Sequence, residues 1–182
     1  MFQSNIKTRF FSLSLLILSG CGLAAPTNGH DPYKPLPVLI SDNAQVLVDH
    51  TIGAIITTPD GKASVSVAQT ALNADTSFEI VPYGVVPSGI SIDQMYSFTP
   101  VSVTTLEPQE FLIVTVKYDP TLIPKGTPET DLRLGVLDPN RNCWDQVFLD
   151  SPPVLPGHSV SSRQVTHLGI FGVTTFFALI CQ

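Results

Sequence analysis

Three cysteines, Cys21, Cys143 and Cys181, and four histidines, His30, His50, His158 and His167, are the residues whose chemistry could define this chain. A thiolate is a nucleophile and a metal ligand, and imidazole exchanges protons or binds metal near neutral pH. Spacing decides which of these chemistries is open. The four histidines show no short spacing typical of zinc ligands, so any such site would have to be assembled from distant positions. No metal ligands and no cofactor are therefore expected. Asp138-Pro139-Asn140-Arg141-Asn142 gathers oxygen donors without the acid-glycine-glutamate order of a calcium loop, and turn chemistry accounts for it. There is no Gly-x-Ser-x-Gly elbow and no glycine-rich phosphate loop. Serines are plentiful, but a Ser-His-Asp triad could be drawn through almost any such set. Glu107 with Glu110 and Asp49 with Asp60 read as solvated acids, so no catalytic residue is expected.

Cys21 is different because of what precedes it. Lys7 and Arg9 stand ahead of an apolar run, Phe10 to Leu18, and Leu18-Ser19-Gly20 closes it. A positive front, a short apolar stretch and small residues before the cut make an export signal. The run is about half the ~20 apolar residues that a membrane-crossing helix needs. With a cysteine straight after Leu-Ser-Gly, the segment resembles the lipobox of bacterial lipoproteins. That resemblance implies a signal peptide over 1–20, cleavage before Cys21, a diacylglycerol on its sulfur and usually an acyl chain on the freed amine. One acyl chain holds a protein to a membrane only marginally, whereas two or three give lasting attachment. Plain secretion with cleavage after Ala25 is the competing expectation, although Leu23 is a poor residue three before that cut. An uncleaved segment is the other. Gly22 stands where an aspartate would resemble the inner-membrane retention signal of enteric bacteria, so the resemblance points to the outer membrane in a host that has one.

Cleavage before Cys21 removes Lys7 and Arg9 from nine basic residues and none of the 15 acidic ones, leaving 7 against 15 and a formal charge of −8. That sign repels phosphate backbones, and no basic cluster offsets it, so nucleic acid is not an expected partner. Binding of the protein surface itself to anionic headgroups is disfavoured for the same reason. With Cys21 consumed by lipid, Cys143 and Cys181 remain as an even pair in a disulfide-permissive compartment. A bond between them would contribute roughly 3–4 kcal/mol by chain-entropy reasoning for a loop of about 40 residues. Two separately buried thiols are the alternative.

The remaining ~160 residues suit one domain. Residues 21–44 hold Pro26, Pro32, Pro35 and Pro37 with no helical or alternating period, and read as a lipid-anchored, proline-rich tether. An edge strand over Leu36-Pro37-Val38-Leu39-Ile40 is the competing reading. From Gln45 the chain becomes short strands between turn residues, and the domain is expected to occupy 45–182. Strands are expected over Val46–Val48, Ile52–Thr57, Ala63–Val67, Thr76–Val81, Tyr96–Phe98 and Phe111–Tyr118. Four more are expected over Leu132–Leu137, Trp144–Leu149, Val160–Val165 and Leu168–Ile180. Pro59-Asp60-Gly61 is a tight-turn signal. Sixteen prolines argue against helices, each costing ~3 kcal/mol inside one. The expectation is all-β: a single, mostly antiparallel β-sandwich. The last run, too short to span a bilayer as a helix, reads as a central strand buried on both sides, with an exposed apolar edge as the alternative. Trp144, the lone tryptophan, reads as a core residue; exposed, it would favour a carbohydrate or peptide surface.

Gly53 to Thr57, the turn Asp60-Gly61-Lys62, and Ala71-Leu72 before Asp75-Thr76 and Phe78-Glu79-Ile80 form an order of pieces that is similar to the β-sandwich domain of ankyrins, netrin receptors and zonula-occludens proteins. Tyr96 to Pro100, Phe111 to Asp119, Leu122 to Gly126, Asp131 to Leu134, Trp144 and Val165-Thr166-His167 continue the series, over roughly Val48 to Val173. The resemblance implies a non-enzymatic binding or structural module. Some relatives cut their own backbone at a His-Phe-Ser sequence placed like His167-Leu168-Gly169 here. That reaction needs a hydroxyl nucleophile, and Gly169 has none, so His167 is expected to be structural. The expected function is a lipid-anchored envelope protein that binds a protein partner of the cell envelope. A small envelope hydrolase acting on polysaccharide or peptide is the alternative from another class, and a purely structural spacer is the third. Binding calls for an exposed apolar or aromatic patch, catalysis for a concave pocket with convergent polar groups.

Overall fold

Alternation of apolar and polar side chains puts one face of each strand in a common interior. In the computed structural model, which describes residues 35–84, 91–107, 110–154, 157–175 and 180–181, that pattern produces eleven strands among the described residues. They are β1 (Val38–Ile40), β2 (Val46–Val48), β3 (Ala54–Thr57), β4 (Ala63–Val67), β5 (Thr76–Pro82) and β6 (Tyr96–Thr99). Then follow β7 (Leu112–Lys117), β8 (Leu132–Asp138), β9 (Cys143–Phe148), β10 (Ser159–Val165) and β11 (Ile170–Thr175). A five-stranded sheet runs β1-β3-β4-β7-β10 and a six-stranded sheet β2-β5-β6-β11-β8-β9. Every pairing is antiparallel except β1 with β3. The chain is an all-β sandwich.

The two inner faces divide the packing by size. The five-stranded sheet contributes small and branched side chains: Ala54, Ile56, Val65, Leu112, Val114 and Val160, all buried. Opposite them the six-stranded sheet sets its aromatics. Phe171 meets Phe98 edge-on at 5.3 Å between ring centroids and stacks on Phe148 at 6.3 Å. Small against large fills the space between two sheets without voids. The central strand β11 is buried on both faces, as its apolar run suggested.

The sheet begins earlier than the sequence indicated. The tether was expected to reach residue 44, yet Val38, Leu39 and Ile40 pair in parallel with Ile55, Ile56 and Thr57. The folded part therefore starts ahead of Gln45, and the competing edge-strand reading of this stretch is the correct one. Leu39 packs against the core while Val38 and Ile40 face outward. Ser41, fully buried, then fixes the crossing to the other sheet: its hydroxyl donates to the Ala44 carbonyl at 3.0 Å and accepts the Ile80 N–H at 2.9 Å. Residues 1–34, with Cys21 and most of the tether, lie outside the described residues.

Sheet edges with unpaired backbone invite aggregation, and the four edge strands, β1, β10, β2 and β9, are handled in three ways. β1 and β2 are three residues long. β10 has an irregularity between Ser162 and Val165, and Val154 bridges its first residue. β9 is covered by the chain's own end: Ile180 bridges Trp144 in parallel, and the Cys181 N–H donates to the Trp144 carbonyl at 2.8 Å. The Cys143–Cys181 disulfide, with 5.3 Å between Cα atoms, locks that cover in place.

Candidate functional site

β9 departs from simple alternation. Val136 of β8 pairs with Gln146, but its neighbour Leu137 pairs with Trp144, so Asp145 is an extra, unpaired residue. A bulge of this kind turns a strand locally and re-aims its side chains. Here it lets Trp144 and Val147, three residues apart, both join an apolar cluster with Met95 and Leu137 that is separate from the main core. It also leaves the two consecutive residues between them, Asp145 and Gln146, exposed.

Both of those side chains line a groove of about 670 Å³. The groove lies where the ends of β6, β8, β9 and β11 meet the connection between β10 and β11. Val101, Val136, Phe148 and Ile170 supply its apolar surface, and Asp138, Asp145, Gln146 and His167 its polar side chains. Its volume is that of a small-molecule or short-peptide site. Asp138 is held by the turn expected over 138–142: one of its carboxylate oxygens accepts the Asn140 N–H at 2.9 Å and the Arg141 N–H at 3.2 Å. Val101 at the rim is 61% exposed.

The stretch His167-Leu168-Gly169 forms part of this wall in ordinary extended structure. His167 bridges Ser102, the Leu168 N–H donates to the Val101 carbonyl at 2.9 Å, and the Gly169 carbonyl accepts the Phe98 N–H at 2.8 Å. His167 stands at a strand approach, and its Nδ1 is 2.9 Å from the Thr166 hydroxyl.

Two other groupings of titratable side chains are assembled from distant sequence. Oε1 of Glu129 accepts the Tyr118 hydroxyl at 2.6 Å and lies 2.7 Å from Nδ1 of His158. The Tyr118 and His158 rings meet edge-on at 5.9 Å. The Tyr118 hydroxyl and His158 hold the Glu129 carboxyl below the usual glutamate range, while burial, with Glu129 adding to it, pushes the Tyr118 phenol up. Glu129 thus clips a 3-10 turn (Glu129–Asp131) to the end of β7 and the start of β10. On another surface Asp75 accepts both the backbone N–H of His50 at 3.1 Å and its Nδ1 at 2.8 Å, with Asp49 close by. One Asp49 oxygen is taken by the Thr51 N–H and hydroxyl. These carboxylates, read from sequence as solvated acids or passed over, fasten turns.

The disulfide joins Cys143 and Cys181, so that pair from the sequence is brought together, one residue from Trp144. Trp144 is buried, as expected, though in the outer cluster and not in the main core. The groove was missed. Val136, Gln146 and Ile170 carry no motif, and a bulge is invisible until the neighbouring strand is known. No protein-family model matches this chain, and no curated protein matches it.

Proposed function

We propose that the chain is a non-enzymatic binding module of a bacterial cell envelope, held to the outer membrane by lipid on Cys21, that grips a partner protein in the groove beside Asp145. The groove is the observation that carries this reading. It is concave, has apolar residues from several strand ends, and carries the exposed side chains of Asp145 and Gln146 side by side at a bulge. Support for the anchor is the order of Lys7 and Arg9, the run Phe10 to Leu18, and Cys21 after Leu18-Ser19-Gly20. A disulfide at the chain's end suits an oxidising envelope compartment.

A photoreactive residue at Val101, on the groove rim, tests the binding half of this function in living cells. The expected result is a reproducible adduct with one envelope protein, and none from Ser64 on the outer face of the other sheet. Equal yields at both positions, or none at Val101, refute it. Intact-mass analysis tests the anchor: Cys21 is expected as a lipid-bearing N-terminus, and an unmodified thiol there refutes lipidation.

A further inference from the structure

The groove has a charge signature as well as a shape. Two carboxylates, Asp138 and Asp145, stand on its walls, and no lysine or arginine is among its described lining residues. They reach it by different routes. Asp138 ends β8 and is fixed by the turn it caps, while Asp145 is the bulged residue of β9. Alternation alone puts residue 145 on the face opposite Trp144; the bulge leaves its carboxylate without a ladder partner and sets Gln146 beside it, so that both line the groove with Val136 and Phe148. Gln146 offers both an acceptor and donors, and Val101 and Ile170 are apolar residues of the same lining.

We infer that the groove takes a cationic peptide segment, a lysine or arginine beside an apolar side chain, from the partner protein. This rests on the reading of the groove as a partner-binding site and names what it accepts. Two acids among the groove's described lining residues, with no lysine or arginine among those residues, favour a positive ligand. The apolar lining residues favour a side chain that buries its stem or its neighbour, as lysine and arginine do with theirs. An acidic segment would meet two like charges, in a protein whose overall charge is already −6.

The test is a titration of the full-length protein in detergent with a synthetic peptide, acetyl-Gly-Leu-Lys-Val-Lys-Gly-amide, followed by amide chemical shifts. Shifts confined to Gln146, His167 and their neighbours, and weakening with added salt, are expected. The counterpart with glutamate at both lysine positions is expected to leave those signals unmoved. Asp145→Asn removes one charge at an exposed position, and it should weaken binding about fivefold, the upper range for a partly exposed ion pair. Asp138→Asn keeps the turn-capping acceptor and should act in the same direction. Three outcomes overturn the inference: no shifts at millimolar lysine peptide, equal shifts with the glutamate peptide, or saturation by a neutral N-acetylglucosamine tetrasaccharide instead. A Val101 crosslink to an envelope protein alongside any of these would retain partner binding and reject only the cationic class.

Discussion

A β-carbon placed on Gly135 would lie 2.5 Å from Cε3 of the Trp144 indole, so the tryptophan rests directly on glycine backbone. Gly135 of β8 is paired with Gly172 of β11, and a β-carbon there would lie 2.6 Å from Cγ of Met95. Two neighbouring glycines thus form a bare floor on the outer face of the six-stranded sheet, and the indole and the methionine occupy it. The bulge at Asp145 faces the other way from the same strand, which couples the seating of Trp144 to the shape of the groove.

Gly135→Ala should therefore be destabilising. The indole is rigid and cannot yield to a methyl group, and overpacking of this kind costs about 2–3 kcal/mol. Gly172→Ala should cost less, about 1 kcal/mol, because the groups it would meet, Met95 and the Ser91 hydroxyl, belong to side chains that shift more readily than an indole. Urea unfolding followed by the fluorescence of Trp144 measures both. If Gly135→Ala is as stable as the natural chain, the indole is not seated on that residue.

Removing the disulfide by replacing Cys143 and Cys181 together with serine should cost about 3 kcal/mol, given the 38-residue separation of the pair. It should also open the C-terminal segment to protease, because that segment covers the β9 edge. Thermal unfolding with and without reductant, and limited proteolysis, check the two effects. Identical migration of reduced and unreduced protein, with both thiols open to alkylation, would refute the bond.

Phe171 touches aromatic rings on both sides of β11, Phe98 from β6 and Phe148 from β9. Phe171→Ala should cost about 3–5 kcal/mol, since the cavity has rigid walls. Phe171→Leu retains most of the volume and should cost less. Calorimetric unfolding compares the two, and equal losses would show that aromatic volume is not what matters here.

Glu129 gives the fold a dependence on acid. Its carboxyl is held below the usual range in the folded chain by the Tyr118 hydroxyl and His158. The unfolded state therefore takes up the proton first as pH falls. The stabilisation is complete above the unfolded-state value and disappears as pH drops through the lower folded value. Glu129→Gln should make the acid limb of a stability-against-pH curve shallower and lower the melting temperature at neutral pH. Asp75 and Asp119, shifted the same way by their own partners, keep part of that limb. An unchanged acid limb would refute the role of the clip.

Much of the fold was legible locally. Ten expected strands, from Val46–Val48 to the apolar run at Leu168, have counterparts in β2 to β11, with ends shifted by a few residues; residues 176–179 of the last run lie outside the described residues. The Pro59-Asp60-Gly61 signal closes the hairpin between β3 and β4, with Gly61 at a φ of +65°. These succeeded because alternation and turn chemistry are carried by a few adjacent residues. Val38–Ile40 escaped a firm reading because three residues after a proline have too short a period to detect. Their strand exists only because β3 offers an edge.

The candidate site was hardly legible. Asp145 looks like one polar residue in a strand, and it becomes special only because Leu137 pairs with Trp144 and Val136 with Gln146. The sequence by itself determined the all-β class, the strand positions and the acidic charge, because those are properties of neighbouring residues and of composition. Tertiary structure alone decided the bulge, the glycine floor under Trp144, the joining of Cys143 to Cys181 and the grouping of two carboxylates in one groove. Each of these depends on which strand lies beside which, and that is settled by packing between residues far apart in the chain.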